Sequence, residues 1–224
     1  EAARMARTFW RLGDGPIPHI VRLLESNGVV TARLPAATAE LDAFSCWIAD
    51  TPYIVLVANK QAADRSRFDA AHELAHLLMD RSTPPGDVAV ERRAHEFAAE
   101  FLAPTASIRP LLPKRVDWSR IAALKLQWGV SMAMLVRRMR DLSCISDVTY
   151  QRAMIFMSRQ GWRTQEPVEI GDPETPELLV RASRSVLSTR GASVEDLARE
   201  MVVPAGLFAE LAGPTRAAAP RAIS

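Results

Sequence analysis

His72, Glu73 and His76 form a His-Glu-x-x-His run inside the stretch Phe68-Asp69-Ala70-Ala71-His72-Glu73-Leu74-Ala75-His76-Leu77-Leu78-Met79. On a helix, residues four apart stand one turn above each other on the same face. The two imidazoles can therefore close on one metal ion. Glu73 stands beside them, placed to take a proton from a water. Two histidines leave the ion short of ligands, since catalytic zinc takes three protein ligands and a water. A five-residue match can arise by chance, and a histidine in a helix can be an ordinary core residue. The context argues otherwise. Phe68, Ala71, Leu74, Ala75, Leu78 and Met79 give this helix a buried face, where a carboxylate and two imidazoles would be costly without a task.

The third ligand must come from another element. From Val90 the apolar spacing of Ala94, Phe97, Ala98, Phe101 and Leu102 predicts a second helix, ended by Pro104. It offers Glu91, His95, Glu96 and Glu100. Glu91 and His95 lie one turn apart on one face, Glu96 sits about 100° round the helix from His95, and Glu100 lies near the far end. Small Ala94 and Ala98 let this helix approach the first closely. Periodicity leaves both Glu91 and His95 open as the third ligand.

The two stretches together resemble a known family. Arg67-Phe68-x-x-Ala71, His72-Glu73-Leu74-Ala75-His76 and Glu91-x-x-Ala94-His95-x-Phe97-Ala98-Ala99-Glu100-Phe101-Leu102-x-Pro104 look like the ImmA/IrrE metallopeptidases. The resemblance spans Ile17 to Pro104 and is specific because two spaced motifs agree. It implies zinc (Zn2+) as cofactor, Glu91 as third ligand beside His72 and His76, and Glu73 as general base. His95 occupies a position where the family often carries Asn, Asp or His. One turn from Glu91, it could orient a ligand by hydrogen bonding, or be a helix residue with no role. Ala103 stands where the family more often has Met, a packing difference. A zinc ion held this way makes water a usable nucleophile near neutral pH, and Glu73 can move its proton to the leaving amine. An oxyanion stabiliser is also needed, but nothing in the sequence places Tyr53 or Tyr150, the two tyrosines, at the metal.

The expected fold class is α+β. A zincin-like metallopeptidase domain carries a small, mostly antiparallel sheet and the motif helix, followed by accessory helices. Residues 1–16 read as a helix remnant broken by Gly13-Asp14-Gly15-Pro16. Residues 17–104 form the peptidase domain. In it a helix runs from Ile17 to Ser26, with His19 as a surface or capping residue. Strands follow at Val29–Leu34, Ala43–Ile48 and Tyr53–Ala58, the last two joined as a hairpin through Ala49-Asp50-Thr51-Pro52. Asn59 to Arg65 is a polar loop, and Ser66 is the expected cap of the motif helix with Asp69 as its partner. Arg81 to Val88, with Pro84-Pro85-Gly86, reads as a loop.

Residues 105–165 carry eleven basic residues against three acids. The pattern is helix from Trp118 to Trp128, turn at Gly129, helix from Ser131 to Leu142, then a third helix from Ser146 to Gln160. This could be a helix-turn-helix with Arg137, Arg138 and Arg140 as nucleic-acid contacts. A small bundle with a solvated basic face is slightly favoured. Residues 166–176 read as a polar, Pro-rich linker. Residues 177–212 read as a small helical, winged-helix-like unit, and 213–224 as a disordered tail.

The chain has 224 residues, 48% hydrophobic and 24% charged, with a net charge of +2. These values are ordinary for a globular protein and name no partner. Cys46 and Cys144 form no CxxC pair, so neither a disulfide framework nor a thiolate zinc site is indicated. No apolar run approaches the roughly 20 residues that span a bilayer, and the first residues lack a signal-peptide core. No membrane contact and a cytoplasmic location are expected. The chain opens on Glu1, as a fragment of a longer protein would.

The expected function is hydrolysis of a peptide bond in a cytoplasmic protein. The resemblance implies a DNA-binding helix-turn-helix repressor as substrate, cut in a stress or mobile-element response. Composition does not show this. The rival is a non-proteolytic DNA-binding regulator that keeps a zincin fold as a binding module. The intact Glu73 separates them, since a binding module has no need of a base.

Overall fold

A computed structural model describes residues 1–34, 43–57, 62–80, 87–200 and 205–212. Helix α1 (Ala2–Phe9) buries Ala3, Ala6 and Arg7. Arg7 anchors it by donating to the Phe101 carbonyl at 2.6 Å and to the carbonyls of Gly13 and Gly15. Helix α2 (Ile20–Ser26) begins at His19, whose Nδ1 accepts from the Arg22 amide at 3.1 Å. His19 is thus a cap, as its position in the sequence suggests.

Three strands follow: β1 (Val30–Leu34), β2 (Ala43–Ile48) and β3 (Thr51–Val57). β2 and β3 form the expected hairpin, with Ile48 opposite Thr51. The sheet order is β1-β3-β2, and β1 runs parallel to β3. The sheet is therefore mixed rather than mostly antiparallel. β3 lies in the middle, so β1 pairs with the hairpin's second strand and not with β2, its neighbour in sequence. Pro52 is tolerated in this central strand because β1 pairing starts at Tyr53, leaving Pro52 flanked by β2 alone.

Helix α3 (Ala63–Met79) carries the His-Glu-x-x-His run, and α4 (Val88–Leu102) is capped by Asp87, which accepts from the Ala89 and Val90 amides. Ser66 does not cap α3; the helix starts at Ala63. Residues that read as loop and cap lie inside the helix because they have tertiary partners. Asp64 accepts from Lys125 Nζ at 2.6 Å, and Ser66 Oγ accepts from Arg33 at 2.8 Å. The tip of the third strand, most of the expected loop before Ala63 and the Pro84-Pro85-Gly86 break lie outside the described residues.

After α5 (Thr105–Ile108) come α6 (Trp118–Trp128), α7 (Met132–Asp141) and α8 (Asp147–Arg159). Asp117, Ser131 and Ser146 cap the last three. Ile108, Ile121, Leu135, Met139 and Met157 share one apolar core with Leu74 and Phe101. The basic helices and the motif helices thus bury their faces together.

Residues 166–176 do not behave as a loose linker. Glu166 accepts from Lys125 and from the Met132 and Ala133 amides at the start of α7. Glu174 accepts from Arg67 and from the Val21 amide. Helices α9 (Leu178–Arg190), α10 (Val194–Glu200) and α11 (Ala205–Ala212) follow. A small core of Leu197, Ala198 and Phe208 joins them, and α9 and α11 lie beside β1. No strand that could serve as a wing follows α8 among the described residues. The tail 213–224 lies outside them.

Candidate metal centre

Arg67 fixes α3 in the molecule. Its guanidinium donates to the Gly129 carbonyl at 2.9 Å and the Ile17 carbonyl at 2.5 Å, and pairs with Glu174. Gly129 has φ 63°, and a Cβ there would lie 2.9 Å from Arg67 Nε. A side chain at this left-handed turn would disturb the anchor.

From this fixed helix His72 and His76 project one turn apart. Glu91, in the first turn of α4, reaches both. Its Oε2 lies 3.1 Å from His72 Nε2, and its Oε1 lies 3.7 Å from His76 Nε2. The two Nε2 atoms are 3.0 Å apart. Donor atoms round a tetrahedral zinc sit roughly 3.3 Å from each other, given bonds of about 2.0–2.1 Å. Two imidazole nitrogens and a carboxylate at this spacing suit zinc. Among the described residues, His72, His76 and Glu91 are the group that could hold a metal ion.

His72 is poised as a neutral donor. Burial, with the neighbouring His95 and His76, lowers the His72 pKa to about 4. His76 is backed by Asp80, whose Oδ2 lies 3.6 Å from His76 Nδ1. Asp80 is in turn held by Arg93 at 2.8 Å. Such backing orients a metal-binding ring. His72 Nδ1 is buried with no hydrogen-bond partner among the described residues.

Glu73 is 8% exposed, and its Oε2 accepts from Ser45 Oγ of β2 at 2.7 Å. Burial raises its pKa above the ordinary carboxyl value, while the Ser45 hydrogen bond and His76 oppose the rise. A base with a raised pKa is better matched to neutral-pH proton transfer.

His95 stands next to the cluster but outside the donor set. Its ring packs edge-on against His72 with centroids 4.7 Å apart, and stacks on Phe68 at 5.5 Å. Its pKa is lowered by burial and by Arg137. It therefore touches a candidate donor by ring packing, where the sequence left open a hydrogen bond or no role.

Arg138 leaves the expected surface set. It is 8% exposed, paired with Glu100 at 2.8 Å and donating to the Ala103 carbonyl at 2.9 Å. Helical spacing puts it on the face of α7 opposite the solvent, so its charge is neutralised internally. Arg137 and Arg140 remain towards solvent and share Asp141. Tyr150 lies under Arg140, 4.4 Å from guanidinium to ring centre, and Tyr53 pairs with Cys46 in the sheet.

Sequence reasoning missed Ser45 and Asp80. Asp80 had a signal, four residues after His76 at the end of the same helix. Ser45 had none, since only the strand's placement brings it to Glu73.

A small mixed sheet with a helix presenting two histidines to a carboxylate on the next helix defines a metallopeptidase-like domain of zincin type. The chain belongs to the M78 peptidase family, whose IrrE N-terminal-like domain matches residues 24–140. That match runs from within α2 to within α7 and contains the whole donor cluster. A comparison with curated proteins found no match.

Proposed function

We propose that the protein is a zinc-dependent endopeptidase acting on a cytoplasmic protein. One observation carries this reading: a buried carboxylate, Glu73, sits one residue from a donor cluster of His72, His76 and Glu91 whose spacing suits a metal. His72, His76 and Glu91 would hold zinc. The ion would supply Lewis-acid polarisation and an activated water. Glu73 takes the water's proton and returns it to the departing amine, with Ser45 holding the carboxylate in place. Asp80 keeps His76 oriented. The substrate we favour is a helix-turn-helix repressor, following the family likeness, in a stress or mobile-element response.

The test is incubation of zinc-loaded protein with candidate repressors, read as one discrete fragment pair. Glu73→Gln keeps the side chain's size but cannot accept the proton. It should keep its metal and lose turnover by on the order of 10²–10⁴-fold. Undiminished cleavage by Glu73→Gln excludes Glu73 as base. The alternative, a non-proteolytic DNA-binding regulator, has less support, because Arg138 is bound internally and a binding module needs no base. No helix among the described residues is long and apolar enough to cross a membrane.

A further inference from the structure

Cleavage of a protein needs its substrate held beside the donor cluster, and the helices around α4 offer a place. A groove of about 1350 Å³ runs between α1, α4, α7 and α8. It exceeds the roughly 300–1,000 Å³ of small-molecule pockets. Its floor is apolar, with Phe68, Ala99, Met134 and Met154. Its rim is basic, with Arg4, Arg65, Arg137, Arg140 and Arg163.

Eight arginines line the groove against six acidic residues, so these charges are partly compensated and leave a small basic excess. Arg137 and Arg140 share the single carboxylate of Asp141, at 3.9 and 2.7 Å. Arg65 donates to the Arg163 carbonyl, a neutral acceptor. Arg4 and Arg163 are exposed, and neither pairs with a carboxylate among the described residues. The groove reaches the metal centre through His95, which lines it and packs on both Phe68 and His72.

We propose that this groove docks an acidic, amphipathic segment of the protein substrate. The segment's apolar side chains lie on Phe68, Met134 and Met154, and its carboxylates face Arg137, Arg140 and Arg163. This rests on the peptidase reading above. A peptide suits the groove better than nucleic acid does. Glu1, Asp14, Asp69, Glu96, Glu100 and Asp141 also line it, and a continuous phosphate backbone would meet them as well as the arginines. A peptide places its charges singly and brings apolar groups for the floor.

Fluorescence anisotropy on the whole chain, with and without zinc, tests this. The probes are a labelled peptide of leucines and glutamates and the same peptide with glutamines in place of glutamates. The glutamate peptide should bind on the order of tenfold more tightly at low salt, a gap that narrows as salt rises. Arg137→Glu combined with Arg163→Glu should abolish that preference and turn it towards a lysine version of the peptide. Both side chains are solvent-facing, and circular dichroism confirms that the variant keeps its fold. Equal binding of the glutamate and glutamine peptides overturns the proposal, as does an unchanged preference in the charge-reversed variant. A DNA duplex that binds through the same arginines and displaces the peptide also overturns it. Loss of the glutamate preference bears on the groove alone, and the Glu73→Gln assay bears on the chemistry alone.

Discussion

At the scale of single residues, Glu91 and His95 stand in different relations to the donor cluster. Glu91 offers oxygens to both histidines, whereas His95 only packs on the His72 ring. Glu91→Ala should therefore lower metal affinity at least as much as His76→Ala. His95→Ala should cost less, on the order of tenfold. Metal titrations of the single variants decide the order, and a site stripped by His95→Ala but retained in Glu91→Ala would mean three histidines bind. The His72 pKa of about 4 has a consequence for stability. Between about 4 and the ordinary 6.5, the unfolded chain binds a proton that the folded chain does not. Stability of the metal-free protein should thus rise with pH through that window and be lost as pH falls through it. Glu73, with its raised pKa, contributes with the opposite sign above the ordinary carboxyl range. Thermal unfolding of parent and His72→Gln in chelator separates them: the acid-side loss should be shallower in His72→Gln.

At the scale of elements, Glu166 ties three pieces together. It meets Lys125 on α6 and two amides at the start of α7, while Lys125 also keeps Asp64 on α3. Glu166→Ala removes a helix-terminus partner and half of a buried ion pair. It should cost about 2–3 kcal/mol in chemical denaturation, below the full cost of breaking such a pair because Asp64 remains. An unchanged denaturation midpoint would show that Glu166 contributes nothing. The helices were legible in the sequence, but their caps only in part: Ser131 caps α7 as its type predicts, whereas Ser66 lies inside α3; the α3–α4 pair follows from periodicity and small Ala94 and Ala98. The donor cluster was legible too, because helical spacing fixes His72 and His76, and family likeness chose Glu91. The parallel β1–β3 pairing was not, since local patterns fix strand existence and not strand order. Nor were the roles of Asp64, Ser66, Glu166 and Glu174. A polar residue reads as surface until its distant partner is known, and here the hydrogen-bond partners lie 33 to 153 positions away.

At the scale of the whole molecule, Arg67 and Glu174 join the motif helix to a segment far along the chain. Both side chains are largely buried, at 6% and 11% exposure. Glu174→Gln should destabilise by about 3 kcal/mol, because the Arg67 charge loses its carboxylate but keeps its carbonyls. A chain ended after Trp162 should unfold at lower denaturant than one ended after Glu177, although both keep α8. Equal midpoints for the two would separate residues 163–177 from the stability of the motif helix. The same contact bears on synthesis. Residues 24–140 hold the candidate donors His72, His76 and Glu91, yet the carboxylate that neutralises Arg67 leaves the ribosome only with residue 174. Until then the growing chain carries an uncompensated cation beside its motif helix. The candidate donors are translated early, but the scaffold that holds them rigid closes late, so a half-made chain lacks a fixed donor cluster.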